Sequence, residues 1–244
     1  MRALWTMTWT EAKLFMREPA AVFFTLAFPL LLLLVFGMIF GNAPLGDSAF
    51  GSVDRSVPGY IAIMIGALSL IGVPITLATY REKGVLRRFR VTPMPTGLVL
   101  AAHGLVALVM VLIGTGLVVG TGVVLFDLRL PASPVGVLAA TVLGCVSFLA
   151  VGFLLGGTLP TARTAQAVGM ALFFPMLFLS GAALPRLLFP DLLRQISLFF
   201  PLTHVVTLIQ NVWMGTGWNM VALGVLAALL LTSATGAIAL FRWT

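Results

Sequence analysis

PGYIAIMIGALSLIGVPITLATY, residues 58–80, contains no charged side chain and runs directly into REKGVLRRFRVTPMP, residues 81–95, which packs five cations around one carboxylate. A helix needs about 20 mostly apolar residues to cross a hydrocarbon layer of roughly 30 Å. The first stretch meets that requirement, and the second cannot enter lipid. The junction at Tyr80–Arg81 is therefore a membrane boundary. Five more stretches of the 244 residues satisfy the same length criterion, at 19–41, 97–126, 134–157, 167–185 and 219–241. The fold class predicted is an all-α integral membrane protein with six transmembrane helices, forming one domain over 1–244.

Composition supports this. The chain is 60% hydrophobic and 9% charged, with a mean hydropathy of +1.13, against roughly a quarter charged residues in a soluble domain. The single Cys145 excludes an internal disulfide. No short apolar stretch ending in a small-residue cleavage site follows the N-terminus, so the reading finds no removable signal. With the N-terminus inside, Arg2, Lys13, Arg17, Arg81, Lys83, Arg87, Arg88, Arg90, Arg163 and Arg242 fall on the cytoplasmic side, ten of the 14 basic residues. Arg55, Arg129, Arg186 and Arg194 fall outside. That imbalance sets the orientation and places both termini in the cytoplasm. The +7 net charge thus flanks apolar spans and forms no face for nucleic acid.

Two segments lie along the membrane surface. At about 100° per residue, Arg2, Thr6, Thr10, Lys13 and Arg17 share one arc, with Trp5, Trp9, Ala12 and Met16 beside it. Residues 1–18 read as an interfacial helix with indoles at headgroup depth, in contact with membrane lipids. Residues 186–218 are apolar but broken by Pro190 and Pro201. They read as a short amphipathic outer helix followed by one that re-enters toward the fifth span. The alternative is a seventh span, which would put the C-terminus outside.

The reactive inventory excludes several classes. A phosphate-binding P-loop needs Gly immediately before Lys. Lys13 and Lys83, the two lysines, follow Ala12 and Glu82, so this chain is expected to bind neither ATP nor another cofactor by that route. His103, His204 and Cys145 stand in different segments and offer no metal-ligand spacing. No catalytic residues are assigned and no metal site is expected. The spans hold no deep carboxylate, which argues against ion-coupled transport. Gly116 with Gly120, and Gly152 with Gly156, permit close helix packing.

In the loop, Val85, Leu86 and Phe89 make one apolar edge on a charged helix that Pro93 and Pro95 would end. This suits docking to a cytoplasmic partner. Glu82 reads either as part of that docking surface or as a solvated carboxylate paired with Arg87 or Lys83. An exposed pair contributes only roughly 0–1 kcal/mol.

The Arg81-Glu82-Lys83-Gly84 element, followed by Leu86 and Pro93, resembles the signature of ABC-2 type exporter permeases. The likeness extends over the interfacial helix, the six spans and the broken outer segment, which reads Leu179-Ser180-Gly181, Pro185, then Pro201-Leu-Thr-His204. Within the family, the chain is most similar to the drug- and antibiotic-export branch, typified by daunorubicin-exporter-like permeases, and Val85 departs from the Thr or Ser common there. The resemblance implies that Arg81, Glu82, Lys83, Gly84, Leu86, Arg87 and Arg88 couple to a separate ATPase subunit, which uses ATP and Mg. It implies a second permease copy, identical or related, and residence in a prokaryotic cytoplasmic membrane. Few polar groups line the spans, which favours an amphipathic or lipophilic cargo. Phe174, Phe178, Ser180, Phe199 and His204 are candidates for its path, although such aromatic residues also serve simply to face lipid. The rival functions are a non-transporting anchor or sensor subunit and a secondary transporter.

Overall fold

The computed structural model describes residues 2–44, 50–84, 96–184, 186 and 189–240. Helix α1 (Arg2–Met16) leads into six helices long and apolar enough to cross a membrane: α2 (Phe23–Phe40), α3 (Ser52–Glu82), α4 (Thr96–Phe126), α5 (Pro134–Thr158), α6 (Ala162–Leu179) and α9 (Met220–Leu240). Between the last two lie α7 (Asp191–Ser197) and α8 (Pro201–Trp213). The chain is a multi-pass membrane protein.

Helix α3 is the central post. Val57, Ile61, Ile63, Ile65, Leu70 and Leu77 point in different directions around it, yet all are buried. The other spans keep large apolar side chains outward, such as Met38 on α2, Val124 on α4, Phe178 on α6 and Ile238 on α9, as lipid-facing helices should. At Leu68–Gly72, α3 widens into a π-turn, which breaks the regular backbone hydrogen-bond register. The Ser69 and Leu70 carbonyl oxygens at this turn lie where Cβ atoms would project from Gly152 of α5 and Gly169 of α6. One turn further on, a Cβ on Gly156 would meet that of Leu77 at 2.9 Å. The Gly152/Gly156 pair is thus the surface on which α5 meets α3. Gly116 and Gly120 of α4 meet nothing within 4 Å among the described residues.

The structure shifts two expected boundaries. Span two begins at Ser52, six residues before Pro58, because Asp54 in its first turn accepts the Gly51 N–H (2.9 Å). The polar Ser52–Ser56 stretch reads as loop by hydropathy but is helix. The same carboxylate accepts from Asn42 Nδ2 (3.1 Å) and the Arg129 N–H (2.9 Å). It therefore holds the α2–α3 and α4–α5 connections together, and Asp54 is only 1% exposed. Span five runs from 162 to 179 instead of 167 to 185. Its start is set by Thr161, whose hydroxyl accepts from Thr164 N, and its stop by Gly181 at φ +84, a left-handed position that ends a helix. The apolar Ala182–Leu184 beyond it misleads a hydropathy window.

Helices α7 and α8 meet at 97°. The 13 residues of α8 span about 20 Å, too short to cross, so the pair is a re-entrant element. Leu202 packs near Gly66, and Val205 near Gly144 and Ile65. At the other end, Gln210 Nε2 donates to the Arg55 carbonyl (3.3 Å) and Trp213 Nε1 to that of Arg129 (3.2 Å). Helix α8 thus rises from mid-depth to the Asp54 end, lodged against α3, α5 and α9 more than against span five alone.

Gly152→Ala and Gly169→Ala should each destabilise the detergent-solubilised protein by about 1–3 kcal/mol through overpacking. Gly224→Ala, with nothing within 4 Å, should leave its melting temperature unchanged or slightly raised. Thermal unfolding of the three variants side by side checks this.

Candidate functional site

The last residues of α3 each have a distinct structural role. Arg81 Nη1 donates to the Gly157 carbonyl (3.1 Å), at the penultimate residue of α5. Glu82 Oε1 accepts the Ala162 N–H (2.9 Å), at the first residue of α6. Helix ends leave carbonyls at the C-terminus and N–H groups at the N-terminus without intrahelical partners, and a cation at the former and an anion at the latter also match the helix dipoles. Two consecutive side chains of α3 therefore close both ends of the α5–α6 turn. Lys83 is exposed. Gly84, at φ +66, donates its N–H to the Arg81 carbonyl (3.0 Å) and stops the helix. Arg81 Nη2 is buried with no partner among the described residues. Leu86, Arg87 and Arg88, with the rest of 85–95, lie outside the described residues. Glu82 partners a backbone amide of α6 and makes no ion pair with Lys83 among the described residues; the pairing with Arg87 weighed from sequence falls outside them.

A second polar cluster at this end was invisible to the periodicity argument. Glu11 of α1 is 6% exposed. Its carboxylate accepts the Tyr80 hydroxyl at 2.8 and 2.9 Å, and His103 Nδ1 of α4 stands 3.2 Å from Oε2. Glu11, Glu18, Thr76, Tyr80 and His103 line a cleft whose other walls are apolar, Phe15, Leu68 and Val106 among them. The expected N-terminal helix is present. Trp5 and Trp9 are exposed, and Lys13 Nζ sits 5.3 Å above the Trp9 ring. Its inward face, however, is anchored by a carboxylate that sequence reasoning passed over. The one available signal was that Glu11 sits on the side of the helix away from the cationic arc. The Arg17 N–H donates to the Leu14 carbonyl (3.0 Å), and the Arg2 side chain lies outside the described part.

The residues suggested for the cargo path occupy differing surroundings. Phe174 and Phe178 face outward one turn apart on α6, and Phe199 is 86% exposed between α7 and α8. Ser180 and His204 are buried and occupied: Ser180 Oγ accepts from Ala182 N (3.2 Å), and His204 Nε2 lies 3.0 Å from the Leu198 carbonyl. Nearby, burial and then the Arg194 cation push the Arg186 guanidinium below its ordinary range.

A family model described as ABC-2 type transporter matches residues 2–214, taking in α1 through α8 and every hydrogen bond given above. A search of curated proteins finds no match.

Tyr80→Phe removes the hydroxyl that the buried Glu11 carboxylate accepts, and a hydrogen bond to a charged group contributes about 1.5–3 kcal/mol. Helix α1 should then detach more often, with trypsin cutting after Lys13 and Arg17 about tenfold faster or more than in the parent. Timed proteolysis in detergent, read by mass spectrometry, measures it.

Proposed function

The chain belongs to the ABC-2 type transporter family, whose membrane domains work with an ABC ATPase, and on that footing we propose that it is the permease of an exporter moving amphipathic or lipophilic compounds. The observation that carries this is the family match over residues 2–214. The chain is the membrane component and not the ATPase. In this reading the basic end of the bundle faces the cytoplasm of a prokaryotic cell, in keeping with the charge count. The segment after Gly84, with Leu86, Arg87 and Arg88, docks a separate ATPase subunit that binds ATP and Mg. Two permease copies, identical or related, make the full transporter, as in the drug- and antibiotic-export branch.

The shape supports an amphipathic cargo. Within the six described spans, charged side chains lie only in the first or last turn. The spans present Phe, Leu, Ile and Val to the surroundings, surfaces that desolvate an apolar compound at little cost and an ion at great cost.

The permease reconstituted with its ATPase should hydrolyse ATP and extrude a fluorescent amphiphile from vesicles. Arg87→Glu with Arg88→Glu should abolish co-purification of the ATPase while leaving the permease's own melting temperature unchanged. ATP-driven flux of inorganic ions with no movement of amphiphiles would overturn the cargo assignment.

A further inference from the structure

We propose that Arg81 and Glu82 are positioning residues that work inside the permease, binding α3, α5 and α6 into one body so that a displacement delivered to the loop after Gly84 moves all three spans together. The proposal rests on the coupling reading above but gives these two side chains a different task from docking.

The argument begins at mid-membrane. The carbonyls of the Leu68–Gly72 π-turn lie against Gly152 and Gly169, so α3 touches α5 and α6 backbone to backbone, with no flexible side chain between them to absorb relative sliding. Packed interiors of this kind transmit strain. A single plane of contact would still let the three helices splay like rods joined at one point. The second plane is at the basic end, where Arg81 reaches the C-terminus of α5 and Glu82 the N-terminus of α6. By the rise of a helix, the two planes are about 8 Å apart along α5, from Gly152 to Gly157, and about 10 Å apart along α6, from Gly169 to Ala162. Two attachments that far apart fix direction as well as position. On the functional reading, the input enters after Gly84, two residues beyond Glu82.

The chemistry of the Glu82 contact separates this role from docking by charge. What Ala162 N–H requires is an acceptor oxygen, and a glutamine supplies one, whereas a partner cation on an ATPase requires the negative charge. The test uses the full transporter with its ATPase in lipid vesicles, carrying Glu82→Gln, Glu82→Ala or Arg81→Met. The expected result is unchanged co-purification of the ATPase in all three. Amphiphile moved per ATP hydrolysed should fall about fivefold in Glu82→Ala and Arg81→Met, and stay within about twofold of the parent in Glu82→Gln. In parallel, spin labels at Lys83→Cys and Arg163→Cys, in a Cys145→Ser background, should give one narrow distance in the parent. That distance should be the same with and without ATP, and it should broaden in Glu82→Ala.

Loss of ATPase binding in both Glu82 variants would make Glu82 a docking carboxylate and overturn the inference, leaving the permease assignment intact. A label distance that changes when the parent binds ATP, or stays narrow in Glu82→Ala, would overturn it as well. If no ATPase associates with the parent, the functional reading fails, and the labelled permease alone still decides whether the tie exists.

Discussion

A span buried over most of its length must have other helices on nearly every side, and α3 can be so surrounded because its neighbours carry glycine where its backbone bulges. Gly152 and Gly169 admit the Ser69 and Leu70 carbonyls of the π-turn. Within hydrocarbon no hydrophobic force draws one apolar helix to another, so association depends on close packing and on satisfied polar groups. The short Cα–H contacts that a glycine offers to a carbonyl are individually worth little. Their importance here is that they let α5 and α6 seat at all, after which the long side chains of α8 and α9 fill the remaining faces of the core.

The ends of the bundle follow a different rule. Every helix terminus exposes backbone groups that lipid cannot satisfy, and this chain has seven carboxylates to spend on the problem. Asp54 gathers three N–H donors where four segments converge. At the opposite end Glu82 takes the first N–H of α6, and Glu11 holds the interfacial helix through Tyr80. Three of the scarce acids thus sit where an apolar side chain would leave donors unpaired. Charge in this protein organises connections, and apolar volume organises the interior.

The six spans were legible because lipid imposes a length and a hydropathy that few soluble segments share. The interfacial helix was legible from the single arc of Arg2, Thr6, Thr10, Lys13 and Arg17. The ends of the spans were harder to read. Residues 52–57 are polar, and only the fold of Asp54 back onto Gly51 makes them helix. Ala182–Leu184 are apolar, yet Gly181 stops the helix ahead of them. The bend between α7 and α8 was indicated by Pro201, but its depth depends on Leu202 and Val205 finding Gly66 and Gly144, which no local pattern encodes. The same holds for the Arg-Glu-Lys-Gly element. Its composition announced a charged loop boundary, while the acceptor of Arg81 and the donor to Glu82 lie 76 and 80 residues further along the chain.

The Glu11 anchor has a bearing on how the protein is built. Its partners Tyr80 and His103 come 69 and 92 residues later in the chain, so α1 leaves the ribosome well before anything exists for its carboxylate to meet. Until α3 and α4 are inserted, that helix can only rest on the membrane surface by its tryptophans and cations. An element made before both of its partners is accordingly fixed only after them, and its docking reports that the central post and its neighbour are already in place.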